Sequence, residues 1–336
     1  MTKLISVILP IYKAERTIER CLDSILSQTH KEIEVICVVD GSPDGCVDIL
    51  YRYASEDRRV KVVEQENKGP ATARNAGLEK ATGDFIGFVD ADDFVDPHMF
   101  ERLLVVSEGS DLVNCGHLSF FTDGTEKAKA PGLTGGFEAV NADATGRLLR
   151  GTPDYIWDKL FIAEIIRREG IRFPDGRIYG EDTVFLAKYL SHVKKAVFIG
   201  DPLYHYNAYS EGSITNTVSD HWYDIFENLK DILFYFREHF GDADYEVIKP
   251  YLEELCISYY DRRANAMIRY NDRGFQNRYI KYSFEFLSLH FLGWKARMRE
   301  MPGIVFPRVK TSLFLMRLYI LAPGFLKLRY AERLMG

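Results

Sequence analysis

Phe85-Ile86-Gly87-Phe88-Val89-Asp90-Ala91-Asp92-Asp93 is an apolar run that stops at an acidic cluster. Val35-Ile36-Cys37-Val38-Val39 does the same, ending at Asp40 and the turn formers Gly41-Ser42-Pro43-Asp44-Gly45. Unbroken apolar runs of this length suit strands buried on both faces. The intervening chain switches period. Leu4 to Leu9 reads as an earlier strand, ended by Pro10, and Ile18, Leu22, Ile25 and Leu26 form a helix stripe. Val47, Leu50 and Tyr53 predict a second helix, Val60 to Val63 a short strand, and Pro70 suits the first turn of a third helix. Such alternation means an α/β sheet.

Ligands of open α/β sheets bind beyond the carboxyl ends of the strands. Asp40 and Asp90 each stand one residue past a predicted strand, so two acidic clusters face one crevice. Carboxylates repel a phosphate, and a divalent cation between them and the ligand resolves the conflict.

Beyond about residue 110 the pattern loosens. Asp123-Gly124 and Gly135-Gly136 punctuate a hairpin or loop excursion. A helix is expected around Tyr155 to Glu169, before the turn Pro174-Asp175-Gly176, and another from Glu181 to Leu190. Trp222, Ile225, Phe226 and Leu229 carry helical spacing into the C-terminal part.

Hydrophobic residues make up 46% of the 336 and charged residues 27%, which excludes a disordered, collagen-like or disulfide-stapled chain. A net charge of −6 argues against a whole-surface nucleic-acid binder. The five cysteines form no CxxC pair or metal-ligand spacing, as expected of reduced thiols in a cytoplasmic protein. The first residues show no signal-peptide pattern, and no uncharged apolar stretch reaches the ~18 residues of a membrane span.

Four ordered segments, Val7 to Tyr12, Val39 to Gly45, Asn67-Lys68-Gly69 with Ala73-Arg74-Asn75-Ala76-Gly77, and Asp90 to Asp93, resemble the family 2 glycosyltransferases. These are inverting enzymes of the nucleotide-diphospho-sugar transferase (GT-A) fold, and the match is closest to those that build bacterial polysaccharides. Trp157-Asp158-Lys159-Leu160 and Gly180-Glu181-Asp182-Thr183 extend the likeness. The resemblance implies a Rossmann-like mixed sheet with helices on both faces and a helical C-terminal region. It divides the chain into a catalytic domain over residues 1–219, with a nucleotide half to about 110, and a helical region over 220–336.

By that resemblance Pro10 and Tyr12 border the nucleobase, with the tyrosine ring stacking on it. Asp40 accepts the imide N–H of uracil, which makes a UDP-sugar the default donor. Asn67 precedes the diphosphate-binding helix, where Arg74 offers a planar cationic fork. Ala73, Ala76 and Gly77 leave room for close backbone approach. In Asp90-Ala91-Asp92, strand alternation points both carboxylates the same way, Asp90 toward the ribose and Asp92 toward Mn²⁺ or Mg²⁺. His205 is either a third metal ligand or a structural histidine.

Asp182, Phe185, Leu186 and Tyr189 share one helical stripe, which turns Asp182 toward the packed side. Glu181 is rotated by about 100°. The resemblance makes Asp182 the general base and Glu181 its neighbour at the acceptor, a glycan or lipid-linked hydroxyl.

Two departures stand out. Many relatives pair two aspartates where this chain has Val39-Asp40, and arginines where it has Asn207, Ala208 and Ser210. A pyrophosphorylase would carry a Gly-rich, Arg-containing loop after the first strand, and a non-catalytic binding protein would lose Asp40, Asp92 or Asp182. With neither GxGxxG nor a P-loop, a dehydrogenase or kinase is disfavoured.

Residues 293–336 carry nine Lys+Arg against Glu300 and Glu332, a charge of +7 that leaves −13 on residues 1–292. Interleaved with Phe314, Leu315, Leu318, Leu321 and Phe325, these charges suit either the anionic inner face of the cell membrane or packing on the body or a partner subunit in a homo-oligomer. Sedimentation with anionic liposomes separates the two. The membrane reading expects the full chain to pellet and a chain lacking residues 293–336 to stay in solution.

Overall fold

A computed structural model describes residues 2–121, 123–208 and 219–267, together with Tyr279, Tyr282, Phe286 and His290. The basic tail lies outside the described residues, as do residues 209–213 of the departing segment. The chain divides into two compact units, Met1–Phe240 and Gly241–Gly336.

The strands are β1 (Ile5–Ile11), β2 (Ile33–Asp40), β3 (Val60–Gln65), β4 (Phe85–Phe88), β5 (Phe94–Val95), β6 (Leu112–Phe120), β7 (Glu126–Lys129), β8 (Gly135–Glu138), β9 (Lys159–Ile162) and β10 (Lys195–Asn207). They form one mixed sheet in the order β3-β2-β1-β4-β9-β6-β10-β5, with β7 pairing β6 and β8 pairing β10. The helices are α1 (Ile18–Leu26), α2 (Cys46–Glu56), α3 (Pro70–Lys80), α4 (Met99–Val105), α5 (Ala142–Gly151), α6 (Ala163–Arg168), α7 (Glu181–Leu190) and α8 (Asp224–Met267). Gly241, at φ 69 and ψ 172, interrupts α8. No helix among the described residues is long and apolar enough to cross a membrane.

β1 lies between β2 and β4 with all three parallel, Ile11 opposite Val39 and Ile8 opposite Phe88. The chain runs outward from β1 through β2 to β3 and then returns to the other side of β1. Sheets of this kind take their ligands where the strand order reverses, here at the carboxyl ends of β1 and β4, which lead into Tyr12 and Asp90.

Both faces of β1 are covered, which explains its unbroken apolar run. Ile5, Val7, Leu9 and Ile11 share a core with Ile18, Cys21, Leu22 and Ile25 of α1. On the opposite face α3 lies so close that a Cβ on Gly77 would fall 2.4 Å from Ile8 Cγ2. Ala73 is fully buried, and only small residues permit that approach.

The structure differs from the sequence expectation after residue 110. The predicted helix around Tyr155 to Glu169 is the strand β9 followed by the short helix α6. Leu160 and Phe161 pair antiparallel with β4 on one side and β6 on the other, a position that buries both faces of the segment. The Asp123-Gly124 turn does close a hairpin between β6 and β7. α7 spans the predicted residues and is held on the sheet by Phe185, whose ring meets Phe88 at 5.5 Å and Phe173 at 4.3 Å. Tyr189 of α7 donates to the Asp111 carbonyl and accepts from Ile162 N–H at 2.8 Å.

One buried carboxylate ties the parallel strands together. Glu34 of β2 accepts from Ser6 Oγ at 2.5 Å, from Thr82 N–H at 2.7 Å and Oγ1 at 2.9 Å, and from Lys61 Nζ. Burial alone would raise its pKa, but the donors from Lys61, Ser6 and Thr82 win and pull it down to about 2. A carboxylate depressed in the folded state adds stability above its unfolded pKa, and loses it as pH falls through the folded value. Glu34→Gln should therefore cost about 1.5–3 kcal/mol at pH 7. The deficit should shrink as pH falls from 4.5 toward about 2, as urea unfolding of both proteins across that range would report.

Candidate active site

The loops after β1 and β2 are bound to each other by the polar residues of the Asp40–Gly45 turn. Lys13 N–H donates to Ser42 Oγ at 2.7 Å, Glu15 N–H donates to Asp44 Oδ2 at 2.9 Å, and Ser42 donates to Asp44 at 2.6 Å. Pro10 is half-buried at the end of β1. Tyr12 presents an exposed ring with Lys13 Nζ 5.1 Å from its centroid. That ring is free to stack on a flat ligand.

Asp40 is buried, and its carboxylate already has three protein donors. Oδ1 accepts from Gln65 Nε2 at 2.7 Å and Lys68 N–H at 2.8 Å, while Oδ2 accepts from Gly69 N–H at 2.8 Å. Asp40 thus pins the segment that enters α3, including the exposed Asn67. A carboxylate offers about four lone-pair positions, which leaves one at Oδ2 for a further donor. Gly69, at φ +86, turns the chain into α3.

Arg74 joins the two halves of the site. The residue is only 5% exposed. Nη2 donates to Asp90 Oδ1 at 2.9 Å and Nη1 donates to Glu181 Oε1 at 2.7 Å. Asp182 Oδ1 lies 3.2 Å from the same Nη1, buried and without a hydrogen-bond partner among the described residues. The fork expected to face a diphosphate is therefore turned to three carboxylates, one from the turn past β4 and two from α7. Burial pushes Asp182 well above the usual carboxylate range and Glu181 upward too, while Arg74 pulls both down. Asp90 and Glu181 push Asp182 further up, as does Asp154.

Two local expectations change. Glu181 is as deep in the site as Asp182, and the more firmly hydrogen-bonded of the two. α7 is covered on nearly every side, so the phase of its apolar stripe does not separate neighbouring carboxylates. Asp90 and Asp92 stand not on a strand but on a turn past β4, closed by Asp93 N–H donating to the Asp90 carbonyl at 3.0 Å. Strand alternation consequently does not align their side chains. Asp90 reaches Arg74, Ala91 is buried, and Asp92 is half-buried.

His205 does not join this cluster. Its ring stacks on Phe94 at 4.5 Å, and the charged groups that reach it are Asp96, Glu126 and Arg20. Its strand neighbour Tyr204 points to the other side and donates to Asp93 Oδ2 at 2.7 Å. Among the described residues no three His, Cys, Asp or Glu side chains are grouped to hold an ion.

Several residues that matter here had no assigned role. Asp93, fully buried, also accepts from Asn207 N–H at 2.7 Å and so fastens β10 to the acidic turn. Trp157 stacks on Tyr155 at 4.2 Å and on Tyr204 at 4.3 Å. Asn75, beside Arg74, donates to the Phe173 carbonyl at 3.0 Å and accepts from Phe173 N–H at 3.0 Å. The sequence signal for all of these was membership of the ordered segments.

Residues 6–162 match the family described as Glycosyl transferase family 2. Glycosyltransferase GlyG of Streptococcus pneumoniae is 34% identical over 231 residues, 66% of this chain and 75% of its own. The chain belongs to glycosyltransferase family 2.

The uncharacterized glycosyltransferase EpsJ of Bacillus subtilis is also 34% identical, over 214 residues. This family 2 chain spans 61% of the length of EpsJ. Its fold is shared with S. aureus TarS 1–349, solved in complex with UDP-GlcNAc, at a TM-score of 0.74 and 19% identity, covering 92% of this chain and 87% of the other. The mixed sheet with its covering helices is thus the GT-A fold.

Arg74→Met tests the central cluster. Burial raises both α7 carboxyls, so their protonated forms favour the fold, and stability falls as pH rises through the raised pKa values. Removing the guanidinium takes away the interaction that opposes this. The variant should lose about 3–5 kcal/mol at pH 8 and recover part of it at pH 5. Thermal midpoints at both pH values decide the matter, and an equal loss at each would count against a charge origin.

Proposed function

We propose that this chain is an inverting transferase that moves a sugar from a nucleotide-diphospho-sugar to a hydroxyl of a glycan or lipid-linked acceptor. The observation that carries the reading is the cluster around Arg74. Asp90, at the crevice expected to take the nucleotide, and Asp182, on the helix expected to face the acceptor, touch one guanidinium. Donor and acceptor chemistry then meet within one side chain's span.

The donor is read as a UDP-sugar. The remaining lone pair of Asp40 Oδ2 is suited to an imide N–H, the exposed Tyr12 ring to the base, and TarS is itself held with UDP-GlcNAc and with UDP. Pro10 and Asn67 border the same crevice. The mannosyltransferase from Pyrobaculum calidifontis is solved with GDP-Man and Mn²⁺, so the fold itself does not choose the base.

Hard carboxylate oxygen suits Mg²⁺ or Mn²⁺, which binds through one or two carboxylates plus substrate phosphates. The half-buried Asp92, on an acidic turn at the crevice, fits that limited share of the ligands. Asp92 would hold the ion with the donor diphosphate. When bound, such a cation neutralises charge on the departing nucleoside diphosphate.

Asp182 acts as general base. Its buried Oδ1 has no hydrogen-bond partner among the described residues, and its raised pKa makes it a stronger proton acceptor than a surface carboxylate. It removes the acceptor hydroxyl proton as that oxygen attacks the anomeric carbon opposite the diphosphate. One displacement inverts the centre. Arg74, itself hydrogen-bonded to Glu181, holds the carboxylate in place.

A panel of nucleotide sugars with Mg²⁺ or Mn²⁺, scored by donor hydrolysis, identifies the donor without an acceptor. On that donor Asp182→Asn should lower turnover about 10²–10⁴-fold and leave nucleotide affinity unchanged. Near-wild-type turnover in the variant would remove Asp182 as the base.

A further inference from the structure

The segment that delivers Glu181 and Asp182, residues 173–180, contains no helix or strand. A catalytic pair on such a segment is only as well placed as the groups that hold it. Its beginning is clamped by Asn75 of α3, which also donates to Asp175 Oδ1 at 2.9 Å.

Its end is clamped by the first part of α8. Asn228 is fully buried. Its Nδ2 donates to the Tyr179 carbonyl at 2.8 Å, and its Oδ1 accepts from Arg177 Nη1 at 2.9 Å. Asp224 Oδ2 accepts from Ile178 N–H at 2.9 Å, and Arg177 Nη2 lies 3.5 Å from Asp231 Oδ2. At the next residue the two elements touch. Gly180 has φ +75, and a Cβ there would stand 2.9 Å from Ile225 Cδ1 and 3.3 Å from Asn228 Nδ2.

We propose that Asn228 is a positioning residue for the transfer reaction, setting the place of Glu181 and Asp182 through Tyr179 and Gly180. The proposal rests on the reading of Asp182 as base. A side-chain amide with both ends paired in a dry interface fixes the segment in two directions, and a small error in the position of a reacting group is costly. Phe185 and Tyr189 anchor the later turns of α7, and Arg74 holds the two acidic side chains of its first turn, which leaves the backbone entering that turn to this clamp. Asn228 also stands outside residues 6–162, the span matched to the family, so the catalytic geometry depends on a helix beyond that span.

The test compares Asn228→Ala with Ile232→Ala in the full chain, using the donor found by the hydrolysis panel. Ile232 is buried one turn further along the same helix. Three quantities are read: donor KM and kcat, thermal midpoint, and the rate of tryptic cleavage after Arg177. Asn228→Ala should lower kcat about 10–100-fold with donor KM held within about twofold, and should speed cleavage at Arg177. Ile232→Ala should lose comparable thermal stability yet keep kcat. If Asn228→Ala does not fold, Asn228→Ser supplies the same readouts and is expected to shift them in the same direction. An unchanged kcat with Arg177 released, or an equal kcat loss in Ile232→Ala, overturns the proposal. Asp182→Asn is run alongside, so a failure of the base assignment appears as an active Asp182→Asn whatever Asn228 does.

Discussion

A guanidinium buried among three carboxylates is the interaction around which this molecule is arranged. Arg74 meets Asp90, Glu181 and Asp182 with 5% of its surface exposed. A lone buried cation would be prohibitively costly, and so would three buried anions. Together they are tolerable only if their carriers are rigidly placed. α3 reaches its position because Ala73 and Gly77 let it lie on β1, and α7 because Phe185 and Tyr189 seat it on the sheet. Arginine suits the hub because its planar fork addresses partners on two sides and stays charged. Burial, with the neighbouring negative charge added to it, raises the α7 carboxyls, which couples the architecture to proton chemistry.

The polar residues of the ordered segments do structural and chemical work together. Asp40 holds the entry to α3 while keeping one lone pair. Ser42 and Asp44 bind the loop after β1, Asp93 binds β10, and Asn75 binds residues 173 and 175. Such residues satisfy backbone groups that the loops would otherwise leave unpaired. Each keeps a loop at the crevice in one conformation, which a binding surface built from loops requires.

The first hundred residues were legible because β1, β2 and β4 are covered on both faces and the helices on one. β1, β2, β3, β4 and α1 to α3 appear where runs and stripes predicted them. Beyond residue 110 the signals fail for identifiable reasons. β9 is four residues long and runs into α6, so its apolar residues merge with a helix stripe. β6 contains the buried Asn114, paired to the carbonyls of Cys115 and Asp158, which interrupts an apolar run that is nonetheless central in the sheet. Helix phase located α7 but ranked its two acids wrongly for depth, because a helix buried all round has no preferred side.

Local order and residue type determined a great deal. The alternation of runs and stripes, the acidic strand ends and the small residues of α3 are properties of neighbouring positions, so the family, the α/β class and the identities of the candidate residues could be read from them. Tertiary structure alone decided where each polar group spends its hydrogen bonds. Arg74 lies 107 positions from Glu181, and Asn228 lies 49 from Tyr179, to whose carbonyl it donates. No periodicity reports such distances. Which acids face the guanidinium, and which helix holds the segment before α7, depend on packing that brings remote segments together.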